Sequence, residues 1–319
     1  MKLHHFIFFI FFISVFSCRE NDKLEKEISN LDMDIEVERF DKLLANASVE
    51  DLTSLKKVYP FLFPKVLDSL WLDRFNGDIQ QQVFNEVMSS FDDFSDQQVA
   101  LEDFFKHLKY YDSNSKSPRI ITLADYVDYR TKLVSQQDLL LINLSNYLGA
   151  THEFYQNIPM YFSENMRQEQ IIPEVAHKYA ERYAFQNQRK TFLDEIVYQG
   201  KLLYFKEIML PSYEFGNIIA YSEEDIEWAK INEPMIWSYF VEKEILYSTD
   251  AKLLQRFTVP GPFSKFGLEI DNESPPRLGT YIGWQIVKAY AERTKADILK
   301  IMRTDADEIF KTSKYKPKR

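Results

Sequence analysis

Glycine is scarce in this chain, and its spacing limits what the chain can build. The 319 residues hold eight glycines, at 77, 149, 200, 216, 261, 267, 279 and 283. A phosphate-cradling loop needs the pattern G-x-G-x-x-G or G-x-x-x-x-G-K, and these positions supply neither. Glycine-loop nucleotide binding is therefore not expected. Cysteine is scarcer still. Cys18 is the only one, so no intrachain disulfide and no multi-cysteine zinc site is available. Two of the five histidines lie in the first five residues, which makes a histidine-rich metal site hard to assemble. A net charge of −10 removes the basic field that nucleic acid requires, so no nucleic-acid partner is expected. With 45% hydrophobic residues, the chain has the means to bury a core.

The N-terminus carries an address. After M-K-L-H-H, an apolar run from Phe6 to Phe16 is interrupted only at Ser14. It is shorter than the roughly 20 residues a membrane-spanning helix needs. A positive start, a short apolar stretch and a small residue before a break describe a secretory signal. The break V-F-S-C resembles a bacterial lipobox, with Cys18 as the lipidated new N-terminus. Residues 1–17 are thus expected as a lipoprotein signal peptide. Residues 18–33 are expected as the lipidated cysteine and a charged tether, and 34–319 as one globular domain. Several acyl chains on Cys18 would make anchoring durable, since each buried methylene contributes about 0.8 kcal/mol.

Within the globule, D-I-E-V-E-R-F from Asp34 predicts a strand, and residues 41–112 read as helical. Strand signals return at Arg119–Val134 and Asp138–Leu144, rich in Ile, Leu, Val, Tyr and Thr. After residue 172 the pattern is mostly helical. The expected class is α+β, predominantly helical, with a small β-sheet. The basic tail from Lys311 to Arg319 is expected as a solvated end.

The chemistry-bearing segment is I-I-P-E-V-A-H-K-Y-A-E-R-Y, Ile171–Tyr183. Pro173 suits a first helical turn. Val175, Ala176, Tyr179, Ala180 and Tyr183 form an apolar stripe, with Glu174, His177 and Glu181 on the other side. P-E-V-A-H aligns with the zinc helix H-E-x-x-H, where two histidines bind metal and the glutamate activates water. Glu174 takes the place of the base and His177 that of the second histidine. Pro173, which cannot bind metal, stands for the first. Gln199 precedes Gly200 one helix later, where a third ligand would be a glutamate. It is expected to be buried beside Phe192, Ile196 and Leu203. Glu195 lies one turn out of register. His152 and Glu153 do not repair the motif, because Gln156 occupies the required fifth position. The favoured expectation is a polar network of Glu174, His177 and Gln199 on an inherited scaffold, with no cofactor. The alternative is a zinc-dependent peptidase or amidase with an unusual ligand set, His177 ligating and Glu174 acting as base. Later, S-P-P-R-L-G-T-Y-I-G-W-Q-I-V places Gly279 and Gly283 one turn apart as a smooth packing face. Glu195, Arg277 and Tyr281 are expected to line a cleft, where Arg277 and Tyr281 would meet a peptide carbonyl or carboxylate.

Together, several blocks resemble the gliding-motility lipoprotein GldB family. These are F-S-C at Cys18, D-I-E-V-E-R-F-D at Asp34–Asp41, Y-P-F-L-F-P at Tyr59–Pro64 and D-L-L-L-I-N-L-S-N-Y-L-G at Asp138–Gly149. I-P-M-Y at Ile158–Tyr161 and P-P-R-L-G-T-Y-I-G-W-Q-I-V at Pro275–Val287 complete the series. The resemblance implies a lipoprotein needed for surface gliding in bacteria that also use a dedicated secretion system. Implied partners are the membrane, through the N-terminal lipid, and proteins of the gliding or secretion machinery. It implies no defined activity. The helical half also resembles predicted zinc proteases, which implies a zincin-like core.

Overall fold

In the computed structural model the described residues are 22–317 except 64 and 66. The signal segment and Cys18 lie outside them. Residues 22–29, expected as solvated tether, form a helix, α1. Ile28 is 1% exposed. Glu25 meets His107 Nε2 at 3.1 Å and Lys106 bonds Ser29 O, so α1 is docked on α6 (Ser95–Tyr111). The globule therefore starts at α1, not at residue 34. His107 is buried at that contact, where its Nδ1 lies 2.8 Å from Asp103 O.

Four short strands make one sheet in the order β1-β2-β4-β3. They are β1 Val37–Glu38, β2 Arg119–Leu123, β3 Leu133–Gln136 and β4 Leu139–Asn143. β1 and β4 run parallel to β2, and β3 joins β4 as an antiparallel hairpin. Alternation along β2 sends Ile120 into the main core and Ile121 to the opposite face, against Phe40 and Tyr59. The segment expected as a strand over 119–134 is split by a loop at 124–132. Asn143 Oδ1 accepts Asp125 N and Asn146 Oδ1 accepts Asp128 N, holding that loop off the sheet. The loop carries Tyr129 and Lys132.

Before β2 lie α2 (Phe40–Ala45), α3 (Leu52–Val58), α4 (Asp68–Phe75), α5 (Asp78–Ser90) and α6. After β4 come α7 (Met160–Ser163), α8 (Ile171–Tyr183) and α9 (Phe192–Met209). They are followed by α10 (Phe215–Ile219), α11 (Glu223–Glu242), α12 (Lys252–Phe257) and α13 (Leu278–Thr294). The chain closes on α14 (Ile298–Arg303) and α15 (Ala306–Ser313). The structure is mostly helical with a small mixed sheet, consistent with an α+β class.

α9 is the axis of the molecule. Its start is fixed by a capping box in which Thr191 and Asp194 exchange hydrogen bonds. Leu202, Phe205 and Met209 pack into the core shared with the sheet, α5, α6 and α8. Phe192, Ile196, Val197 and Leu203 pack into a second core with α11, α13 and α15. With one set of residues in each core, α9 is enclosed, and none of its residues is exposed. α13 crosses it where Gly200 faces Gly283, a contact with no room for a side chain. Gly279 and Gly283 thus provide the close-packing face expected of them. The C-terminal end is not free: Tyr315 is 9% exposed and donates to Glu233 at 2.8 Å. The expected solvated tail is corrected over residues 311–317.

Candidate functional site

α8 starts at Ile171 and buries Val175, Ala176, Tyr179 and Ala180, as the periodicity predicts. Pro173 sits in its first turn, where the absent N–H is no loss. Glu174 projects from that turn with both carboxylate oxygens occupied. Tyr147 Oη donates to Oε2 at 2.7 Å, and Lys132 Nζ meets Oε1. Tyr147 is fully buried just after β4. Burial first, then the charge on Glu174, holds its phenol far above the ordinary range, so it stays a donor. Lys132 comes from the 124–132 loop and also lies 5.4 Å from the Tyr147 ring centroid.

His177 follows one turn later. Its side chain is 37% exposed and its Nε2 is 3.7 Å from Glu181. Surrounding protein, then the cations Lys206, Lys178 and Arg277, push its imidazole below the ordinary value. Solvent at the open edge moderates that shift without reversing it, so the ring is neutral at pH 7. Gln199 does not join this group. It is half-buried and donates to Glu195 Oε1 at 2.9 Å. Glu195 is in turn forked by Arg189 at 2.6 to 2.9 Å. Phe192, Ile196 and Leu203 are buried as expected, but the i,i+4 pair Glu195–Gln199 lies along the edge facing Arg189. The expected Glu174–His177–Gln199 network is corrected to Glu174–Lys132–Tyr147. His152 is engaged elsewhere: it meets Glu86 at 3.2 Å and accepts Phe154 N.

These residues do not fit a zinc ion. Pro173 offers no donor, Gln199 and Glu195 are tied to each other, and the Glu174 carboxylate is held by a cation and a phenol. Among the described residues, no three His, Cys, Asp or Glu side chains converge as ligands.

What the structure does build here is a cleft of about 640 Å³, with Glu174 on its floor and the 124–132 loop on one wall. Lys132, Arg167, Tyr221, Asp225 and Arg277 also line it. Arg277 enters it from the chain just before α13. It takes a left-handed conformation, φ 59°, at the head of α13. Its Nη2 donates to Ile219 O at 2.5 Å and Ala220 O at 3.0 Å. Tyr281 does not face the cleft. One turn along α13 it is 2% exposed and donates to Glu233 on α11 at 3.0 Å. Behind the floor, Lys206 is 6% exposed and donates to Ile218 O. Burial, then Arg277 and more weakly Lys132, pushes its ammonium down to about 7 against the opposing pull of Glu174.

Lys132, Tyr147 and Lys206 were not singled out from the sequence. Only Lys206 left a signal there, as a cation among the apolar residues L-L-Y-F-K-E-I-M of α9.

A family model described as gliding motility protein GldB matches residues 21–317. No curated protein matches the chain, and no solved structure does.

Proposed function

The chain belongs to the gliding motility protein GldB family, and from that premise we propose a lipid-anchored, non-catalytic part of the gliding machinery whose cleft receives a segment of a partner protein. Family membership gives the role in gliding motility. The observation that carries the non-catalytic reading is Glu174. In the place where a metallopeptidase keeps its base free for a metal-bound water, Lys132 and Tyr147 occupy both oxygens. The cleft remains open around it, with aromatic walls from Tyr129, Tyr161 and Tyr221.

The anchor reading is supported by the lipobox at Cys18. Among the described residues no helix is long and apolar enough to cross a membrane. The envelope is the proposed location, and the partner is another component of the gliding or associated secretion machinery.

Metal analysis of the purified full chain tests the non-catalytic reading. Sub-stoichiometric zinc is expected, and His177→Ala is expected to restore gliding in a deletion strain. Stoichiometric zinc that disappears in His177→Ala, together with loss of gliding, would overturn it.

A further inference from the structure

Two cations at the cleft, Arg277 in its lining and Lys206 buried behind it, are held by backbone carbonyls. Lys206 donates to Ile218 O, and Arg277 donates to Ile219 O and Ala220 O. These are three successive carbonyls at the end of α10. They orient the two cations, but a carbonyl dipole does not cancel a full charge. Among the described residues neither Arg277 nor Lys206 has a carboxylate within the 4.0 Å of an ion pair. Glu174 is already shared by Lys132 and Tyr147. Asp225 influences Arg277 only at longer range, and its Oδ2 accepts Ser222 N at 3.1 Å in the capping box of α11. The cleft therefore presents Arg277 without a close carboxylate, beside the Lys132–Glu174 pair, with Lys206 buried behind it.

Cations taken out of water are ordinarily paired, because an uncompensated buried charge is costly. Arg277, unpaired in the lining of an open cleft, leaves a place for an anion. Arg277 spends only Nη2 on the carbonyls, so the donors on Nε and Nη1 are uncommitted. Glu164 and Asp225 also line the cleft, and burial, then the charge of Asp225, pushes the carboxyl of Glu164 up. The walls, Tyr129, Tyr161, Phe162 and Tyr221 with Pro260 and Pro262, suit an extended peptide. The volume, about 640 Å³, takes a short segment and not a folded domain.

We propose that this cleft binds a carboxylate carried by an extended polypeptide segment, with Arg277 contacting it and Lys206 adding charge from behind. The inference rests on the protein-binding reading above and specifies what is recognised.

The test is a titration of the full chain with N-acetyl-tetra-alanine bearing a free C-terminal carboxylate, against the same peptide as its C-terminal amide. The acid is expected to bind about tenfold tighter than the amide, the scale of one charged hydrogen bond. Arg277→Gln is expected to abolish the preference, and Glu174→Gln to tighten the acid by removing a competing charge. Inorganic phosphate is expected to compete poorly. Equal binding of acid and amide, or no binding of either at millimolar concentration, overturns the proposal. So does a Glu174→Gln variant that binds the acid no tighter, which decides the matter even where Arg277→Gln fails to fold. Phosphate competing as well as the acid overturns the polypeptide assignment. A photocrosslinker at Tyr161 separates the two readings. A partner crosslinked there in native membranes but not displaced by the acid removes this inference and keeps the protein-binding one. Acid preference with no crosslinked partner does the reverse.

Discussion

Two lysines on α9 are buried against backbone carbonyls, and their titration should be visible in stability. Lys201 donates to Phe185 O, Met302 O and Thr304 O, and burial pushes it down to about 8. Lys206 lies at about 7, against 10.5 for an unburied lysine. In that window the unfolded chain holds more protons than the folded one, so these groups make stability rise with pH. Lys206→Met removes one of the two contributions. Compared by denaturant unfolding from about pH 6 to about pH 9, wild type should gain on the variant by on the order of 1 kcal/mol per pH unit. A constant difference between the two would refute the depressed value. At this scale the sequence showed what lies on one helix or at its entry: Pro173, Glu174 and His177 on α8, and Arg277 ahead of α13. It did not show what holds Glu174, because Tyr147 and Lys132 are 27 and 42 residues away in the chain. Helical periodicity speaks only of neighbours within a few turns. Tyr281 was misplaced for the same reason, since its partner Glu233 is on another helix, 48 residues away.

Among the elements, the crossing of α9 and α13 sets how tightly the second core closes. A Cβ at Gly283 would lie 1.7 Å from Ile196 O, and one at Gly200 would lie 2.2 Å from the Gly283 carbonyl carbon. Both obstacles are backbone, so relief requires a helix to move. Gly283→Ala is expected to cost about 3 kcal/mol or more, read as a fall in the unfolding midpoint. Gly261→Ala, whose nearest neighbour would be 3.9 Å away, is the control and should stay within about 0.5 kcal/mol. A Gly283→Ala protein as stable as the control would mean the helices do not cross so closely. The glycine spacing made this face legible, and the β-branched runs revealed the sheet. The break in the long strand signal was not legible. It depends on Asn143 and Asn146, whose amides take up the backbone of residues 125 and 128 across the fold. Propensity along 119–134 contains no trace of them.

For the whole molecule, the docked α1 changes how far the globule can stand from a membrane. A free tether over residues 19–33 would reach about 50 Å at full extension. With α1 packed on α6 through Ile28 and Glu25, only residues 19–21 separate Cys18 from the docked chain, and the reach drops to about 15 Å. Charge composition argued for a tether because R-E-N-D-K-L-E-K-E looks solvated, and Asp22, Lys23, Lys26 and Glu27 are exposed. The single apolar contact at Ile28, with the His107 pair, outweighs that appearance. Under the proposed lipidation, the start of α1 is therefore held close to the bilayer surface. Cys18→Ala should shift the protein out of the membrane fraction. Because Cys18 is the only native cysteine and its thiol is consumed under the proposed acylation, a cysteine introduced at Lys243 gives a unique dye position. Energy transfer from that dye to a bilayer probe should fall when Ile28→Asp releases α1 and lengthens the leash, while membrane fractionation stays the same. Unchanged transfer in that variant would show that something other than α1 holds the globule near the lipid.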